Sequence, residues 1–382
     1  MSRSGARLEQ LVAALRTDLL TTETPGQTLP AERVLAARHG VARETLRAAL
    51  RELTRLGVIG LREGRHVVRK VRVEAGNVLI LSRCDPQRGH RFAPGYDAAV
   101  TMAVRDGLDR AGMRPVLLNP DRLAGDGALR VLARPPAALV IAPDAAGHAE
   151  AAMLATACVK RGLPVVAEAE PSVQPCADTV QHDHVAGGAA ITAWLIDRGC
   201  RRILPLWRLP GQQPWLQRRT QGYAAAMVAA GLQPLDPVHT ADLPADNSGD
   251  HASFMTAVRG VAGALPEHLC RTPRIDALLF ATDAHAVQAA AALRLFGLEP
   301  NRDVMLAGYD ATWPWERSRR FEPQGPLVTY DKDEAGLAQA IVDRVLGRLA
   351  DPALPAMNSY RPGRLVTVDP ARYAEPYRDP WA

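Results

Sequence analysis

Four arginines stand four residues apart in one short stretch: Arg43, Arg47, Arg51 and Arg55. That spacing returns to one face of an α-helix, so over Ala42–Leu56 they form a guanidinium stripe. Leu46, Ala49, Leu50, Leu53 and Leu56 gather on the opposite face, where a small core can take them. A guanidinium fork can grip guanine O6 and N7 in the DNA major groove, or a phosphate. An exposed helix with no such task usually mixes charge signs for i,i+4 pairing. Here Glu44 and Glu52 flank the stripe without interrupting it. The ordinary alternative is a solvated helix face, and the surrounding elements decide between the two.

Those elements favour a DNA reader. A shorter amphipathic segment precedes the stripe and is joined to it at His39-Gly40-Val41, which is the layout of a helix-turn-helix with its recognition helix second. Leu8–Leu20 reads as a preceding helix and Val58–Val68 as a following hairpin. Residues 1–73 hold 14 Lys and Arg against 7 Asp and Glu, a net +7, whereas the whole chain carries only +5. The positive charge therefore sits where a phosphate backbone would be met.

From Asn77 the pattern changes to short apolar runs alternating with helical segments. The runs are Val78–Leu81, Pro115–Leu118, Ala138–Ile141, Pro164–Val166, Arg202–Leu206, Ala277–Phe280 and Val304–Ala307. The helices are Tyr96–Ala111, Ala149–Arg161, Ala186–Arg198, Gln217–Ala230 and Ala284–Leu295. Such alternation implies α/β architecture with doubly wound parallel sheets. Roughly 300 residues exceed what one core of this kind holds, so two lobes are expected. Ligands of open α/β sheets bind beyond the carboxyl ends of strands, which makes Asp85, after the first strand, a candidate.

Two resemblances sharpen this. Residues 7–70 resemble the winged-helix domain of the GntR family of bacterial regulators. Leu29-Pro30-Ala31-Glu32-Arg33 stands at its opening, Gly40-Val41-Ala42-Arg43-Glu44-Thr45-Leu46-Arg47 at its turn and recognition helix, and Gly57-Val58-Ile59 at the entry to its wing. By position the resemblance makes Arg33, Arg43 and Arg47 base or backbone contacts and Thr45 a phosphate contact, with Arg65 of the wing added. The wing tip, Glu63-Gly64-Arg65-His66, lacks the second glycine of the family's hairpin.

Residues 77–368 are similar to the LacI/GalR effector domain, which is built like periplasmic sugar-binding proteins. The motifs that carry this are Gly199-Cys200-Arg201-Arg202-Ile203, Arg219-Thr220-Gln221-Gly222-Tyr223, Phe280-Ala281-Thr282-Asp283, and Gly308-Tyr309-Asp310 after Asp303-Val304. The combination is that of the arabinose repressor class of sugar-responsive repressors. It implies a winged helix-turn-helix over 1–70, a linker over 71–76, a two-lobed domain over 77–368 and a tail over 369–382. The N-lobe would take about 77–180 and 311–328, and the C-lobe about 181–310 and 329–368.

By motif, Arg219 and Asp283 become the leading effector anchors, each with an interdomain salt bridge as the ordinary alternative. Asp183, at the crossing between lobes, is either a ligand group or the cap of the helix after it. Ala169 stands where relatives commonly carry an aspartate that touches the ligand. Glu168 or Glu170 could substitute, but a shift of one residue turns a strand side chain to the other face.

The expected function is a ligand-responsive regulator, a repressor, binding a pseudo-palindromic DNA operator as a homodimer under control of a small hydroxylated effector. The alternatives are a regulator whose pocket binds nothing and an enzyme fused to a DNA-binding head. A pyridoxal-phosphate enzyme needs a Schiff-base lysine, and Lys70, Lys160 and Lys332 stand in no such setting. No motif for catalysis or cofactor binding is present, so no cofactor is expected. His182-Asp183-His184 invites a metal, but a zinc site needs three or four ligands within reach, and none is expected. The five scattered cysteines suit reduced thiols. The N-terminus lacks an apolar signal region and no apolar run reaches membrane-span length. A cytoplasmic protein without a membrane partner is expected.

Overall fold

The computed structural model describes residues 11–12, 14–15, 28–55, 59–62, 65–68, 76–84, 96–123, 127–133, 135–171, 177–207, 213–240, 250–375 and 377. In the head, helices α1 (Glu32–Arg38) and α2 (Arg43–Arg55) are followed by an antiparallel hairpin, β1 (Ile59–Arg62) with β2 (Arg65–Val68). Gly40 closes α1 with φ of +62°, and the Val41 N–H donates to Ala36 O at 3.0 Å. Glycine adopts that left-handed conformation without a Cβ penalty. Leu46, Ala49, Leu50 and Leu53 are buried, with Leu35, Ile59, Leu11 and Leu15, in one cluster. The apolar face read from the sequence is therefore a core face. The Leu29 N–H donates to His66 O at 2.8 Å and ties the hairpin back to the start of the motif.

The body follows as β3 (Asn77–Leu81), α3 (Tyr96–Arg110), β4 (Arg114–Leu118), α4 (Gly127–Ala133), β5 (Ala138–Ile141), α5 (Ala149–Val159), β6 (Val165–Ala167) and β7 (Asp178–His182). Next come α6 (His184–Asp197), β8 (Ile203–Trp207), α7 (Pro214–Ala229), β9 (Val238–His239), α8 (His251–Ala264), α9 (Pro266–Leu269), β10 (Ala277–Phe280), α10 (Asp283–Leu295), β11 (Met305–Tyr309) and β12 (Val328–Asp331). The order closes with α11 (Glu334–Ala350), β13 (Asn358–Arg361) and β14 (Arg364–Thr367).

These strands form two six-stranded sheets, β13-β7-β6-β5-β3-β4 and β14-β12-β11-β10-β8-β9. Every pairing is parallel except β12 with β14. Each sheet has an apolar cluster on both faces, which is why most of its strands read as continuous apolar runs. The chain crosses between lobes after His182, after Asp331 and after Arg361.

The lobe boundaries differ from those expected. Residues 311–328 lie in the C-lobe, where Trp313 joins the core with Phe254, Phe280 and Leu306. The chain returns to the N-lobe later, through α11, whose Leu337, Ile341 and Val345 pack with Val78, Val104 and Val140. The helical segments read from the sequence do not include α11, and apolar spacing alone could not say which sheet it covers. Nor is the expected tail irregular over Pro370–Ala374, which forms a 3-10 turn. Tyr373 packs edge-on to Trp313 with ring centres 5.2 Å apart and donates from its hydroxyl to Pro326 O at 2.9 Å.

The returning segment is held by one carboxylate. Buried Asp178 on β7 accepts from Arg344 on α11 at 2.8 Å and from the Met357 N–H at 2.6 Å, with Arg348 Nε 3.4 Å away. Removing one partner of a buried charge network leaves the others uncompensated. Asp178→Ala is expected to cost about 2–3 kcal/mol, below the range for fully buried pairs because both arginines keep some solvent contact. Chemical denaturation followed by far-UV circular dichroism measures it, and an unchanged midpoint would show that the carboxylate does not anchor α11.

Candidate functional site

The arginine face of the head lies on two helices. Arg33 on α1 and Arg43, Arg47 and Arg51 on α2 are exposed, while Thr45 is half-buried. Arg47 Nε lies 2.8 Å from Glu32 Oε2, an exposed pair bridging the two helices. Arg65 begins the second strand of the wing, and its side chain lies outside the described residues, as does Asp85 entirely. The arrangement presents guanidiniums on a helix whose other face is fixed to a core, so the helix can enter a groove without losing its packing.

A second constellation gathers side chains from both lobes. From the C-lobe, α7 presents Arg219, buried to 2% exposure. Its Nε reaches His184 Nδ1 at 3.3 Å and one terminal N–H donates to Ala281 O at 2.8 Å. Its guanidinium carbon lies 3.7 Å from the Tyr309 ring centre and 4.6 Å from that of Trp215. From the N-lobe, Tyr96 at the start of α3 donates to Glu168 at 2.8 Å. Lys332, just after β12, places its Nζ 3.3 Å from the centre of the Tyr96 ring and 2.9 Å from Asp310 Oδ1. His182 bridges the groups, with ring centres 5.6 Å from Tyr96 and 6.1 Å from His184.

Burial governs the protonation of this set. It pushes the Glu168 carboxyl up to about 7, opposed by the hydrogen bond from Tyr96 and the charge of Lys332. Glu334, behind Lys332, is likewise raised by burial to about 7. His182 is pushed down to about 2 by burial and by Lys332, Arg219 and Arg361. His184 is also held well below its ordinary value, by burial and then by Arg219 and Lys332. Carboxylates, a paired ammonium, a stacked guanidinium and aromatic faces can together bind hydroxyl groups and a ring.

Arg219 sits in this set; Asp283 does not. Asp283 is fully buried within the C-lobe, where Oδ2 accepts from the Trp313 N–H at 2.9 Å. A Cβ on Gly308 would fall 2.2 Å from Asp283 Oδ1, so that glycine leaves the space the carboxylate fills. Its surroundings give it the work of tying the Trp313 loop to α10. Asp183 caps α6, accepting from the Ala186 N–H at 2.9 Å, the second of its two readings. Ala169 packs in the apolar cluster behind the sheet, while Glu168, one residue earlier, faces Tyr96. The alternation of β6, carried one step past Ala167, turns Ala169 with Val165 and Ala167 to one side and Glu168 to the other.

Burial raises the Asp283 carboxyl well above its usual 3.8, against the hydrogen bonds from Thr329 and Trp313. A folded pKa above the unfolded one means stability that is complete at low pH and lost as pH rises through the folded value. Asp283→Asn removes that slope. Unfolding free energies of wild type and variant at about pH 4.5 and about pH 8 should therefore diverge, the wild type losing more as pH rises. Parallel pH profiles would show that the carboxyl is not held protonated.

His182, His184, Asp310 and Lys332 belong to the cleft set, but the motifs do not single them out as ligand groups, whereas Glu168 stands as a substitute for the aspartate that Ala169 replaces. Asp310 follows strand β11, where the strand-end rule could have found it. Lys332 lies at a crossing that the topology places after β12, while His182 stands beside Asp183 at the crossing already expected there. Among the described residues, no group of three His, Cys, Asp or Glu side chains could hold a metal ion, and no helix is long and apolar enough to cross a membrane.

Comparison with known proteins agrees with this architecture. Residues 7–68 match the gntR family of bacterial regulatory proteins, and residues 192–367 the periplasmic binding protein-like domain. The HTH-type transcriptional regulator CelR of Thermobifida fusca is 32% identical over 177 residues, 45% of this chain and 47% of that protein. The ribose operon repressor of Escherichia coli (strain K12) is 29% identical over 181 residues, 46% and 48% of the two chains. The chain thus spans about half the length of the curated relatives it matches. Among solved structures, the transcriptional regulator CelR–cellobiose complex superposes with a TM-score of 0.56 at 20% identity, over 89% of this chain and 99% of that one. A LacI family regulator from Enterococcus faecium with bound ribose gives 0.55 at 17% identity, over 76% and 97%. These likenesses establish the fold.

Proposed function

We propose that this chain, which joins a GntR-type winged helix to a periplasmic-binding-protein-like domain, is a transcriptional regulator controlled by a small hydroxylated molecule. The effector, a sugar or sugar derivative, lies between the lobes. The observation that carries this is the charged and aromatic cluster to which both lobes contribute, Tyr96, Glu168 and His182 from one and His184, Arg219, Tyr309 and Asp310 from the other. Such a cluster makes lobe closure depend on what it holds. The relatives named above, a ribose operon repressor and a regulator solved with cellobiose, support the same reading.

DNA binding falls to the exposed arginines of α1 and α2. Arg43 and Arg47 are the base or phosphate contacts, with Arg33, Thr45 and Arg65 beside them. The regulator is a homodimer, because a helix-turn-helix reads paired half-sites through two-fold symmetry, and a repressor like the ribose operon repressor it is similar to. Closure of the lobes on an effector changes the spacing of the two heads, a coupling typically of about 1–3 kcal/mol. An operator obtained by in vitro selection tests this. Its mobility shift should be relieved by one member of a sugar panel, and sedimentation should give a dimer. A full chain that binds no selected DNA, or whose DNA binding no sugar or sugar derivative alters, would overturn the reading.

A further inference from the structure

The cleft set is electrically divided. On one side the charges are matched: Lys332 lies between Asp310 and the Tyr96 ring, and Tyr96 donates to Glu168. On the other side they are not. Arg219 is buried against neutral groups only, His184 Nδ1, Ala281 O and the faces of Tyr309 and Trp215. Among the described residues no carboxylate lies within ion-pair reach of it. Asp310 acts on it from farther away and is already engaged by Lys332. His182 is buried to 1% exposure with neither ring nitrogen hydrogen-bonded. A buried charge without a counter-charge, and buried polar atoms without partners, are each costly. They persist where a ligand completes them.

We propose that the effector is a hydroxylated anion, a sugar acid or sugar phosphate, whose charged group lies against Arg219, His184 and His182 while its hydroxyls face Glu168 and Asp310. The proposal rests on the cleft being the effector site and adds the charge of what fills it. A neutral polyol would supply hydrogen bonds but would leave the guanidinium uncompensated. An anion would do both, and charge-assisted bonds to Arg are stronger than neutral ones.

Glu168, in the same cleft, gives binding a pH signature. The groups acting on His182 are Lys332, Arg219 and Arg361, and those acting on His184 are Arg219, Lys332, His182 and Arg218. All are cationic or neutral, so with burial they hold both imidazoles neutral. An anion placed against them opposes that field but leaves both imidazoles neutral near pH 7, where Glu168, pushed up by burial to about 7, is the cleft group that ionises. Ionisation of Glu168 sets a like charge beside the anion, so affinity for an anion falls as pH rises through about 7.

The test uses the full chain. The probes are gluconate, glucuronate, glucose 6-phosphate and ribose 5-phosphate, with neutral glucose, ribose and cellobiose, at matched ionic strength. Thermal shift is read at about pH 6 and about pH 8, and calorimetry is run in two buffers of different ionisation heat. At least one anion should stabilise the chain saturably, bind more tightly at the lower pH, and show buffer-dependent heat equal to proton uptake. The carboxylate and phosphate arms tell which anionic group is recognised. Glu168→Gln should flatten the pH dependence and His182→Asn should weaken anion binding at both pH values, each variant first checked for wild-type circular dichroism. Stabilisation by neutral sugars alone, or by no probe at all, overturns the proposal. A neutral sugar that releases DNA where anions do not refutes this inference and leaves the regulator intact. An anion that binds without altering DNA retention does the reverse.

Discussion

Gly222→Ala is expected to destabilise the two-lobed body by about 3 kcal/mol. Helices α6 and α7 cross at unusually short range, and two glycines make the approach possible. A Cβ on Gly222 would lie 2.0 Å from the carbonyl oxygen of Val185, and one on Gly188 would lie 2.2 Å from that of Arg219. Both obstacles are backbone, which no rotamer change can move aside. Relief requires the helices to part by more than an ångström, since ordinary contact begins near 3.4 Å. That parting would carry Arg219 on α7 away from His184 on α6. The variant should therefore lose effector affinity as well as stability. Thermal unfolding measures the first effect, at about 2–4 °C per kcal/mol for a large domain. The same substitution at Gly263 in α8, where a Cβ meets nothing within 4 Å, should instead be neutral or stabilising by up to about 1 kcal/mol, as for any open helix position. Equal melting temperatures for the two variants would mean that the crossing is not closed by these glycines.

The elements that sequence made legible are those whose surroundings are uniform. Ala138–Ile141 and Ala277–Phe280 are apolar runs buried on both faces, and their observed bounds match the runs themselves. The α2 face was legible because its burial follows one periodicity. By contrast β7, Asp-Thr-Val-Gln-His, is wholly buried although four of its five residues are polar. Two of its polar groups are matched from distant parts of the chain: Asp178 by Arg344, and Thr179 by Asn358 at 2.9 Å. No local pattern could announce a strand whose solvation is supplied by residues about 170 positions away.

The cleft shows the same limit in its chemistry. Asp283 and Asp310 both follow C-lobe strands, and motif position alone favoured Asp283. The backbone separates them. Asp283 opens α10 with its carboxylate turned inward to the Trp313 N–H. Asp310 takes a left-handed φ of 88° that accompanies its pairing with Lys332. Arg219 was found because its motif includes Gly222, whose close contact with α6 sets where that arginine points.

Arg43→Ala and Arg47→Ala should each weaken specific DNA binding by about 1–3 kcal/mol, roughly fivefold to 150-fold, and the double variant should retain no specific binding. Both side chains are exposed on the face of α2 opposite the buried Leu46, Leu50 and Leu53. Truncating them therefore removes contacts with a partner and leaves the core intact. Arg47 loses an additional ion pair with Glu32, but at 57% and 34% side-chain exposure that pair is solvent-screened and stability should barely change. The same pair supplies a variant of opposite sign. If Arg47 must leave Glu32 to meet a base or phosphate, Glu32→Gln releases it and removes a negative charge facing the DNA backbone, and affinity should rise. Mobility shifts on selected DNA across a salt series separate the roles. A residue contacting only phosphate lowers the slope of log affinity against log salt by about one and weakens all sequences alike, whereas a base contact relaxes preference at one position. Wild-type affinity in the double variant at matched salt would remove α2 from the DNA interface and leave Arg33 and the wing to account for the basic head.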